Sequence, residues 1–342
     1  MKNPATFSRR SFMVMPLALM ACKPSERMFE ISGLTMGTTY TVVALDHTRG
    51  LDESTVRTAV EAALADVNAK MSNWDATSEI SRINASRDSG AVTLSSDLAQ
   101  VMDAAATVSR HSGGRFDTTV GPLIEAWGFG AQGSLARPSE EVIEAALDRS
   151  GHANTLHVTP VTLTKTRSDA QVYLSAIGKG YGADHVGRAL EALGMTDYLV
   201  EIGGDLYASG RNADGMRWQI GVETPNAFDR GVMDVVPVSG MGLATSGDYR
   251  TYFEQDGMRY SHVLDPVTGY PINHRTASAT VLADTAMLAD AWATAMLTLG
   301  RDRGLEVAKE HDLAVLFVDR DSLSGAQVFR THTSPAFDAL TA

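Results

Sequence analysis

The feature of this sequence that most restricts its fold is an apolar segment near the C-terminus that contains a single charge. Residues 286–300 are mostly alanine, leucine and methionine, and Asp290 is the one charged residue among them. A helix that is apolar on nearly every side is typical of a buried helix. Asp284 or Thr285 can cap its start, and Gly300 can end it in a left-handed conformation. The segment therefore predicts a helix buried in the core.

The carboxylate of Asp290 requires a partner, because an isolated buried charge is very costly. Thr294 lies four residues later, on the same face of the helix. Carboxylate and hydroxyl oxygens at this spacing suit a hard ion such as Mg²⁺. A carboxylate that accepts hydrogen bonds from a neighbouring loop also meets the requirement, and the helix alone favours neither interpretation.

Length and charge restrict the class of protein. The 342 residues can form one large domain or two small ones. The 29 Lys and Arg residues against 41 Asp and Glu residues give a net charge of −12, which argues against a nucleic-acid-binding surface. Strand and helix patterns are interspersed without strict βαβ alternation. We therefore predict a single large α+β domain over residues 31–342, with a mixed, largely antiparallel β-sheet flanked by helices.

The N-terminal segment is predicted to be an export signal rather than part of the fold. Arg9 and Arg10 match a twin-arginine signal, and the short apolar run that follows ends at Cys22. Cys22 is the only cysteine, so its position indicates lipidation rather than catalysis or a disulfide. We predict a signal peptide over residues 1–21, a tether over residues 22–30, and a lipid-anchored protein on the bacterial membrane that faces the periplasm.

Two glycine-containing segments are candidate site loops. Residues 111–123 and 127–130 are dense in Gly, Pro, Asp and Thr, which predicts an irregular loop of the kind that often lines a site. A plain connector is the alternative. Residues 177–181 form a small-residue turn before a helix, whose exposed amides suit an anion, and Lys179 adds a positive charge. The spacing differs from that of a Walker A sequence.

Histidine and tryptophan supply two further candidates. A predicted strand over residues 259–264 delivers His262 and Asp265 to a turn, which is a favourable place for a site. A histidine satisfied by local hydrogen bonds is the alternative. Trp74 is either a core side chain or a platform for an aromatic ligand, and the core is favoured.

Taken together, these segments resemble the ApbE-type flavin transferases (FAD:protein FMN transferases). The resemblance covers the chain from residue 31 to the C-terminus. It rests on an ordered set of blocks at residues 36–40, 78–80, 116–123, 127–130, 177–181, 203–205, 245–249, 262–269 and 289–294.

This resemblance implies an enzyme that uses FAD and Mg²⁺, transfers FMN to a threonine or serine hydroxyl of a target protein through a phosphoester bond, and releases AMP. Targets of the family include subunits of membrane redox complexes. The implied metal ligands are the side chains of Asp290 and Thr294 and the backbone carbonyl of Ala176.

The resemblance also implies a flavin site and a catalytic base. The flavin-site positions are Met36, Trp74, Arg115, Phe116, Asp117, Tyr173, Lys179 and Leu264. His262 is the candidate base, with Asp265 as the residue that orients it, and Lys179 is expected to offset charge on the pyrophosphate.

Two positions depart from the family pattern. Many relatives have Asp where this chain has Tyr173, and some have a further Asp where Ala293 stands. Mg²⁺ readily keeps waters in its shell, so neither change excludes activity. Two alternatives use the same residues. One is an Mg²⁺-dependent FAD pyrophosphatase that gives FMN and AMP, and the other is a non-catalytic periplasmic flavin-binding lipoprotein.

Overall fold

The computed structural model describes residues 27–48, 50–130, 133–226, 231–321 and 328–341. The predicted signal peptide and Cys22 lie outside these residues. Strand β1 (Arg27–Thr35) begins before the predicted end of the tether, so residues 27–30 belong to the sheet. Within the described ranges, no helix has both the length and the hydrophobicity needed to cross a membrane.

The first two strands form an N-terminal hairpin. β1 pairs with β2 (Thr38–Asp46) in antiparallel register, and Ile31 faces Val42 with both side chains fully buried. Met36 and Gly37 form the turn with φ values of 50° and 76°. Glycine takes a positive φ without steric cost, so Gly37 makes this tight turn accessible.

An eight-stranded sheet forms the centre of the described fold, in the order β1-β2-β6-β7-β10-β13-β14-β15, and each neighbouring pair is antiparallel. The smaller sheets have the strand orders β3-β5-β4, β8-β9 and β11-β12. The strands after β2 are β3 (Val92–Thr93), β4 (Leu156–Val158), β5 (Thr162–Lys165), β6 (Asp197–Ile202), β7 (Asp205–Ser209), β8 (Trp218–Glu223), β9 (Val232–Val238), β10 (Met241–Gly247), β11 (Tyr252–Gln255), β12 (Met258–Ser261), β13 (Thr276–Ala283), β14 (Ala314–Asp321) and β15 (Val328–Thr333).

Helices and the β8–β9 hairpin flank this sheet, which confirms the predicted α+β class. The helices are α1 (Glu53–Met71), α2 (Glu79–Ala85), α3 (Ser96–His111), α4 (Gly121–Ala126), α5 (Glu140–Asp148), α6 (His152–Thr155), α7 (Gly178–Ala192), α8 (Ala286–Glu310) and α9 (Pro335–Thr341). Helices α3, α7 and α8 contribute to the largest apolar core, whereas the β8–β9 hairpin and α9 pack with β7, β10, β13 and β14 in a separate one.

The start of α8 is fixed by two side chains. Thr285 is the N-cap, and its Oγ1 accepts a hydrogen bond from the Leu288 amide at 3.2 Å. Asp184 of α7 accepts hydrogen bonds from the amides of Ala286 and Met287 at 2.8 and 2.9 Å. Backbone N–H groups in the first turn of a helix have no partner within the helix, so Asp184 supplies acceptors that the sequence pattern does not reveal.

Gly300 ends the buried helical segment at a positive φ, as predicted. It has φ 70° and ψ 169°, so it interrupts the helical backbone, and a second helical segment continues to Glu310. The two segments are the parts of one kinked element. A Cβ at Gly300 would lie 2.8 Å from the His274 ring, which explains why a residue without a side chain occupies the kink.

Candidate functional site

A cleft of about 670 Å³ lies between α7, α8, the β6–β7 turn and the segments before α4 and after β12. Its size is typical of sites for small organic ligands. The structure brings most of the predicted site residues to this one cleft, although they come from distant parts of the chain. Those that line it are Arg115, Phe116, Asp117, Ala176, Lys179, His262, Leu264, Asp290 and Thr294.

Asp290 lies at the wall of the cleft and is 3% exposed. Both of its carboxylate oxygens lie 3.3 Å from Nζ of Lys179, and Oδ2 also accepts a hydrogen bond from the Gly180 amide at 3.1 Å. The buried charge thus has a cation and a backbone donor from the start of α7. Lys179 is within the cleft as predicted, but its ammonium group is held by carboxylates.

The close approach of α7 to α8 depends on Gly180. A Cβ at this position would lie 2.1 Å from the carbonyl oxygen of Ala286, far inside any normal contact distance. Only glycine permits the two helices to meet here. This approach brings the Gly180 amide to Asp290, so the glycine turn predicted to receive an anion binds a carboxylate of the protein itself.

Asp205 completes the charged cluster and was not predicted as a site residue. It is 4% exposed, and its carboxylate forms a short ion pair with Lys179. Burial and the neighbouring charge of Asp290 raise the pKa of Asp205, while Lys179 opposes this shift. Burial alone would lower the pKa of Lys179, but the charges of Asp205 and Asp290 raise it above its ordinary value. Lys179 is therefore a cation that bridges two carboxylates.

Oxygen atoms with the chemistry that Mg²⁺ prefers surround this cluster. Thr294 lines the cleft one helical turn after Asp290, and its hydroxyl is hydrogen-bonded to that of Ser246 at 3.1 Å. Ala176 is half-buried and lines the same cleft. In the described part of the chain, no group of three or more His, Cys, Asp and Glu side chains is placed to hold a metal ion. A metal in this cleft would therefore depend on carboxylate, hydroxyl and carbonyl oxygens together, a donor set that fits Mg²⁺.

His262 lies at the edge of the cleft, immediately after β12. Its Nδ1 is 3.1 Å from the carbonyl oxygen of Thr251, and its backbone amide donates to the same oxygen at 3.0 Å. A carbonyl oxygen can only accept, so Nδ1 carries the proton and Nε2 has a free lone pair. Desolvation of the ring lowers the pKa of His262 below its usual 6.5 and outweighs the opposing effects of Thr251 and Asp248.

The predicted pairing of Asp265 with His262 is wrong. Oδ1 of Asp265 lies 3.2 Å from Nε of Arg115 and accepts a hydrogen bond from the Val267 amide at 2.9 Å. The carbonyl of Thr251 orients the histidine instead. Asp265 holds a turn and an arginine of the cleft, a role that follows from the two-residue spacing to Val267 typical of an Asx-turn.

The loop before α4 enters the cleft as an ordered unit. Oδ1 of Asp117 accepts hydrogen bonds from the amide and hydroxyl of Thr119, each at 2.7 Å, and Oδ2 accepts one from the Gly151 amide at 2.9 Å. Phe116 is buried beside it. The irregular loop is therefore ordered and lines the cleft, and the Asp117 carboxylate holds it in place.

Three predicted flavin-site residues are not among the residues that line the cleft in the described structure. Trp74 is 78% exposed, so the favoured interpretation as a core residue is wrong. Tyr173 packs its ring against Gly121, where a Cβ would lie 2.0 Å away. Met36 lies against Gly182 of α7. The positions of Met36 and Tyr173 are explained by packing between elements.

An ion pair that was not predicted also lines the cleft. Glu223 of β8 forms a short ion pair with Arg250, and both line the cleft. Asp248, between β10 and β11, forms a buried ion pair with Arg320 of β14. A glycine-containing turn at residues 245–249 was the one local signal for this region, and it did not identify either ion pair.

Comparisons with known proteins agree with this arrangement. A model of the ApbE family matches residues 36–317. The FAD:protein FMN transferase of Haemophilus influenzae is 40% identical over 342 residues, which cover 96% of this chain and 95% of that protein. The flavin transferase ApbE from Vibrio cholerae has a similar structure, with a TM-score of 0.84 and 35% identity over 92% of this chain and 99% of the other. Pseudomonas stutzeri flavinyl transferase ApbE, in its apo form, has a TM-score of 0.83 and 38% identity, with 92% and 97% coverage. With most of its family blocks assembled around one cleft and a family match over most of its length, the chain belongs to the ApbE family.

Proposed function

We propose that this protein is a transferase that moves FMN from FAD to a threonine or serine hydroxyl of an acceptor protein and releases AMP. The curated relatives are named FAD:protein FMN transferases. The observation that carries the proposal is the convergence of Lys179, Asp290 and His262 on one cleft. It combines carboxylate and hydroxyl oxygens suited to Mg²⁺ with a histidine that has a free ring nitrogen.

The reaction requires one bond to form and one to break. The acceptor oxygen bonds to the phosphorus of the FMN half of FAD, and the bond from this phosphorus to the bridging oxygen breaks. AMP departs with the bridging oxygen, and the hydroxyl proton passes to the protein. Positioning and charge neutralisation provide most of the catalysis in phosphoryl transfers of this kind.

His262 is proposed to accept the proton at Nε2. Its Nδ1 is occupied by the carbonyl of Thr251, so Nε2 is the nitrogen available to the hydroxyl. The lowered pKa keeps the ring neutral at pH 7, which is the state that a base requires. Thr251 therefore replaces the carboxylate that orients histidine in many other sites.

Asp290, Thr294 and the carbonyl of Ala176 are proposed to hold Mg²⁺. When bound, the ion would neutralise charge on the pyrophosphate. Lys179 keeps its ammonium group at Asp290 and Asp205 and offsets part of their negative charge at the same wall of the cleft. The Ser246 hydroxyl, 3.1 Å from that of Thr294, orients the threonine oxygen.

The remaining parts of the proposal concern location and partners. The Arg9-Arg10 pair and Cys22 support export, lipid anchoring to the bacterial membrane and a periplasm-facing domain. This location fits acceptors that are subunits of membrane redox complexes. Labelling with a radioactive or alkyne-bearing fatty acid tests the anchor, and a Cys22→Ala chain that still takes up the label would contradict it.

One assay separates transfer from its alternatives. The protein is incubated with FAD, Mg²⁺ and a candidate acceptor, and the products are examined for flavin fluorescence on the denatured acceptor and for AMP. Transfer gives both products. AMP without a labelled acceptor indicates an FAD pyrophosphatase, whereas retained FAD without AMP indicates a flavin-binding protein. Absence of both FAD binding and turnover would contradict all three activities.

A further inference from the structure

We propose that Phe129 is a positioning residue that holds the imidazole of His262 toward the cleft. This inference rests on the proposed role of His262 as the base. Phe129 belongs to the glycine-containing segment 127–130, which has no direct role in the proposed reaction. The contacts of Phe129 with His262 indicate an indirect role.

The rings of Phe129 and His262 form an edge-to-face pair, with centroids 6.4 Å apart and planes at 70°. Among the described residues, the hydrogen bond to the Thr251 carbonyl is the one polar contact of the His262 ring. A single hydrogen bond fixes one atom of a ring but permits rotation about that contact. An aromatic ring packed at a steep angle limits this rotation and keeps Nε2 directed away from Thr251.

Phe129 is itself rigidly held by the preceding residues. Nε1 of Trp127 donates a hydrogen bond to the carbonyl of Gly269 at 2.8 Å, and Trp127 is fully buried. Gly128 has φ 77°, and a Cβ there would lie 2.3 Å from the carbonyl oxygen of Ser134. Glycine is therefore required between the anchored tryptophan and the phenylalanine that contacts the base.

The β11–β12 hairpin, which precedes His262, also packs against Phe129. Phe253 of β11 pairs with Tyr260 of β12, and their rings stack at 5.1 Å. Phe253 also contacts Phe129, with centroids 5.7 Å apart. Phe129 thus bridges the hairpin and the histidine that follows it. Both contacts place it beside the base from outside the cleft.

Phe129 is not among the cleft-lining residues of the described chain, so it acts through His262 rather than on the ligand. The charged residue that influences the ring is Asp248, which favours the protonated form and is itself paired with Arg320. Phe129 acts in the opposite direction, because an apolar neighbour excludes water and favours the neutral form. Loss of the Phe129 ring should therefore change the orientation of the His262 imidazole, and loss of its apolar bulk should change the pKa of that imidazole.

The test compares Phe129→Leu, which removes the planar ring and keeps apolar bulk, with Phe129→Tyr, which restores a ring. We expect kcat for FMN transfer to fall about tenfold in the leucine variant and to be retained within about twofold in the tyrosine variant. KM for FAD should stay unchanged in both. Phe329→Leu, a change of the same kind at a half-buried phenylalanine of β15, is the matched control and should retain kcat.

Two further measurements determine whether Phe129 acts through His262. In a His262→Ala background, Phe129→Leu should cause no additional loss, because the group that it positions is absent. Another tenfold loss in that background would overturn the proposal, as would full activity of His262→Ala itself. NMR titration of His262, identified by the signal missing from His262→Ala, should give a pKa closer to 6.5 in Phe129→Ala, which removes the apolar bulk, than in the parent chain.

The NMR titration does not depend on turnover. If the parent chain transfers no FMN but Phe129→Ala still raises the pKa of His262, the proposed function fails while the packing contact holds. If the parent chain transfers FMN but the pKa of His262 is the same in the variant and the parent, the positioning role alone is overturned.

Discussion

Asp290 shows how one buried carboxylate can have both a structural and a chemical role. Its oxygens contact Lys179 and the Gly180 amide, so the charge is compensated within the protein. The two interpretations that the sequence left open are therefore compatible. The residue is satisfied by neighbouring donors, and it also lies on the cleft beside Thr294, where a metal ion can reach its oxygens.

The first prediction is that Asp290→Asn reduces FAD turnover by at least about 100-fold while the chain stays folded. The amide oxygen of asparagine can still accept the Gly180 hydrogen bond, and Lys179 keeps Asp205 as its partner. Turnover is measured as AMP release at several Mg²⁺ concentrations, with circular dichroism as the folding control.

Asp205→Asn is the matched comparison for this prediction, since it also removes one carboxylate from Lys179. We expect calorimetry to detect Mg²⁺ binding by the Asp205→Asn variant but not by the Asp290→Asn variant. Equal loss of Mg²⁺ binding in the two variants would indicate that Asp290 serves to hold the lysine rather than the ion.

The second prediction concerns the pH dependence of His262. Its pKa lies below the usual 6.5, so at any pH a larger fraction of the ring is neutral than for an ordinary histidine. FMN transfer should therefore decline as pH falls, with a midpoint below that of an ordinary histidine. The measurement is kcat against pH at saturating FAD and Mg²⁺. An acidic limb centred above pH 6.5 would contradict the assignment of the base.

At the scale of elements, the site is fixed by the contact between α7 and α8. Gly180 allows the helices to meet at Ala286, and Asp184 accepts hydrogen bonds from the first turn of α8. The two helices are therefore joined at the point where α8 begins, one turn before Asp290. This junction sets the position of the carboxylate relative to Lys179.

The third prediction is that Asp184→Ala lowers the free energy of unfolding by about 1–3 kcal/mol, because the buried amides of Ala286 and Met287 lose their acceptors. Urea denaturation measures the change. Asp52→Ala, which removes the exposed N-cap of α1, should cost less. A smaller loss for Asp184→Ala than for Asp52→Ala would show that this junction does not stabilise the fold.

At the scale of the whole molecule, the cleft is formed by segments spread over most of the sequence. Arg115, Lys179, His262 and Asp290 each come from a different element, and the long antiparallel sheet holds these elements together. A ligand that spans the cleft contacts several of them at once. Binding should therefore stabilise the folded chain as a unit.

The fourth prediction is that FAD with Mg²⁺ raises the thermal midpoint of unfolding. At a free ligand concentration of about 100 times Kd, the expected gain is about 2.7 kcal/mol. Differential scanning calorimetry with FAD, with and without EDTA, measures the gain and its dependence on metal. NAD is the control dinucleotide. An equal gain in the presence of EDTA would contradict the proposed link between metal and flavin binding.

Local rules were sufficient to predict the elements that carry the site. The 3.6-residue period places Asp290 and Thr294 on one face of α8 whatever surrounds the helix. The β-rich residues 39–45 and the turn before them favour the first hairpin, and the glycine turn at residues 177–181 favours the start of α7. These signals depend only on residues close in sequence, so they can be recognised without the tertiary structure.

The partners of the charged residues were decided by the tertiary structure alone. Lys179 and Asp290 are 111 residues apart in sequence, and no local pattern states that they meet. The same reason explains the incorrect pairing of Asp265 with His262, because proximity in sequence suggested a contact that the β12 turn does not make. The sequence by itself determined a buried helix with one carboxylate. The fold supplied Lys179, Asp205 and the Gly180 amide, because only the packing of α7 against α8 brings them within reach.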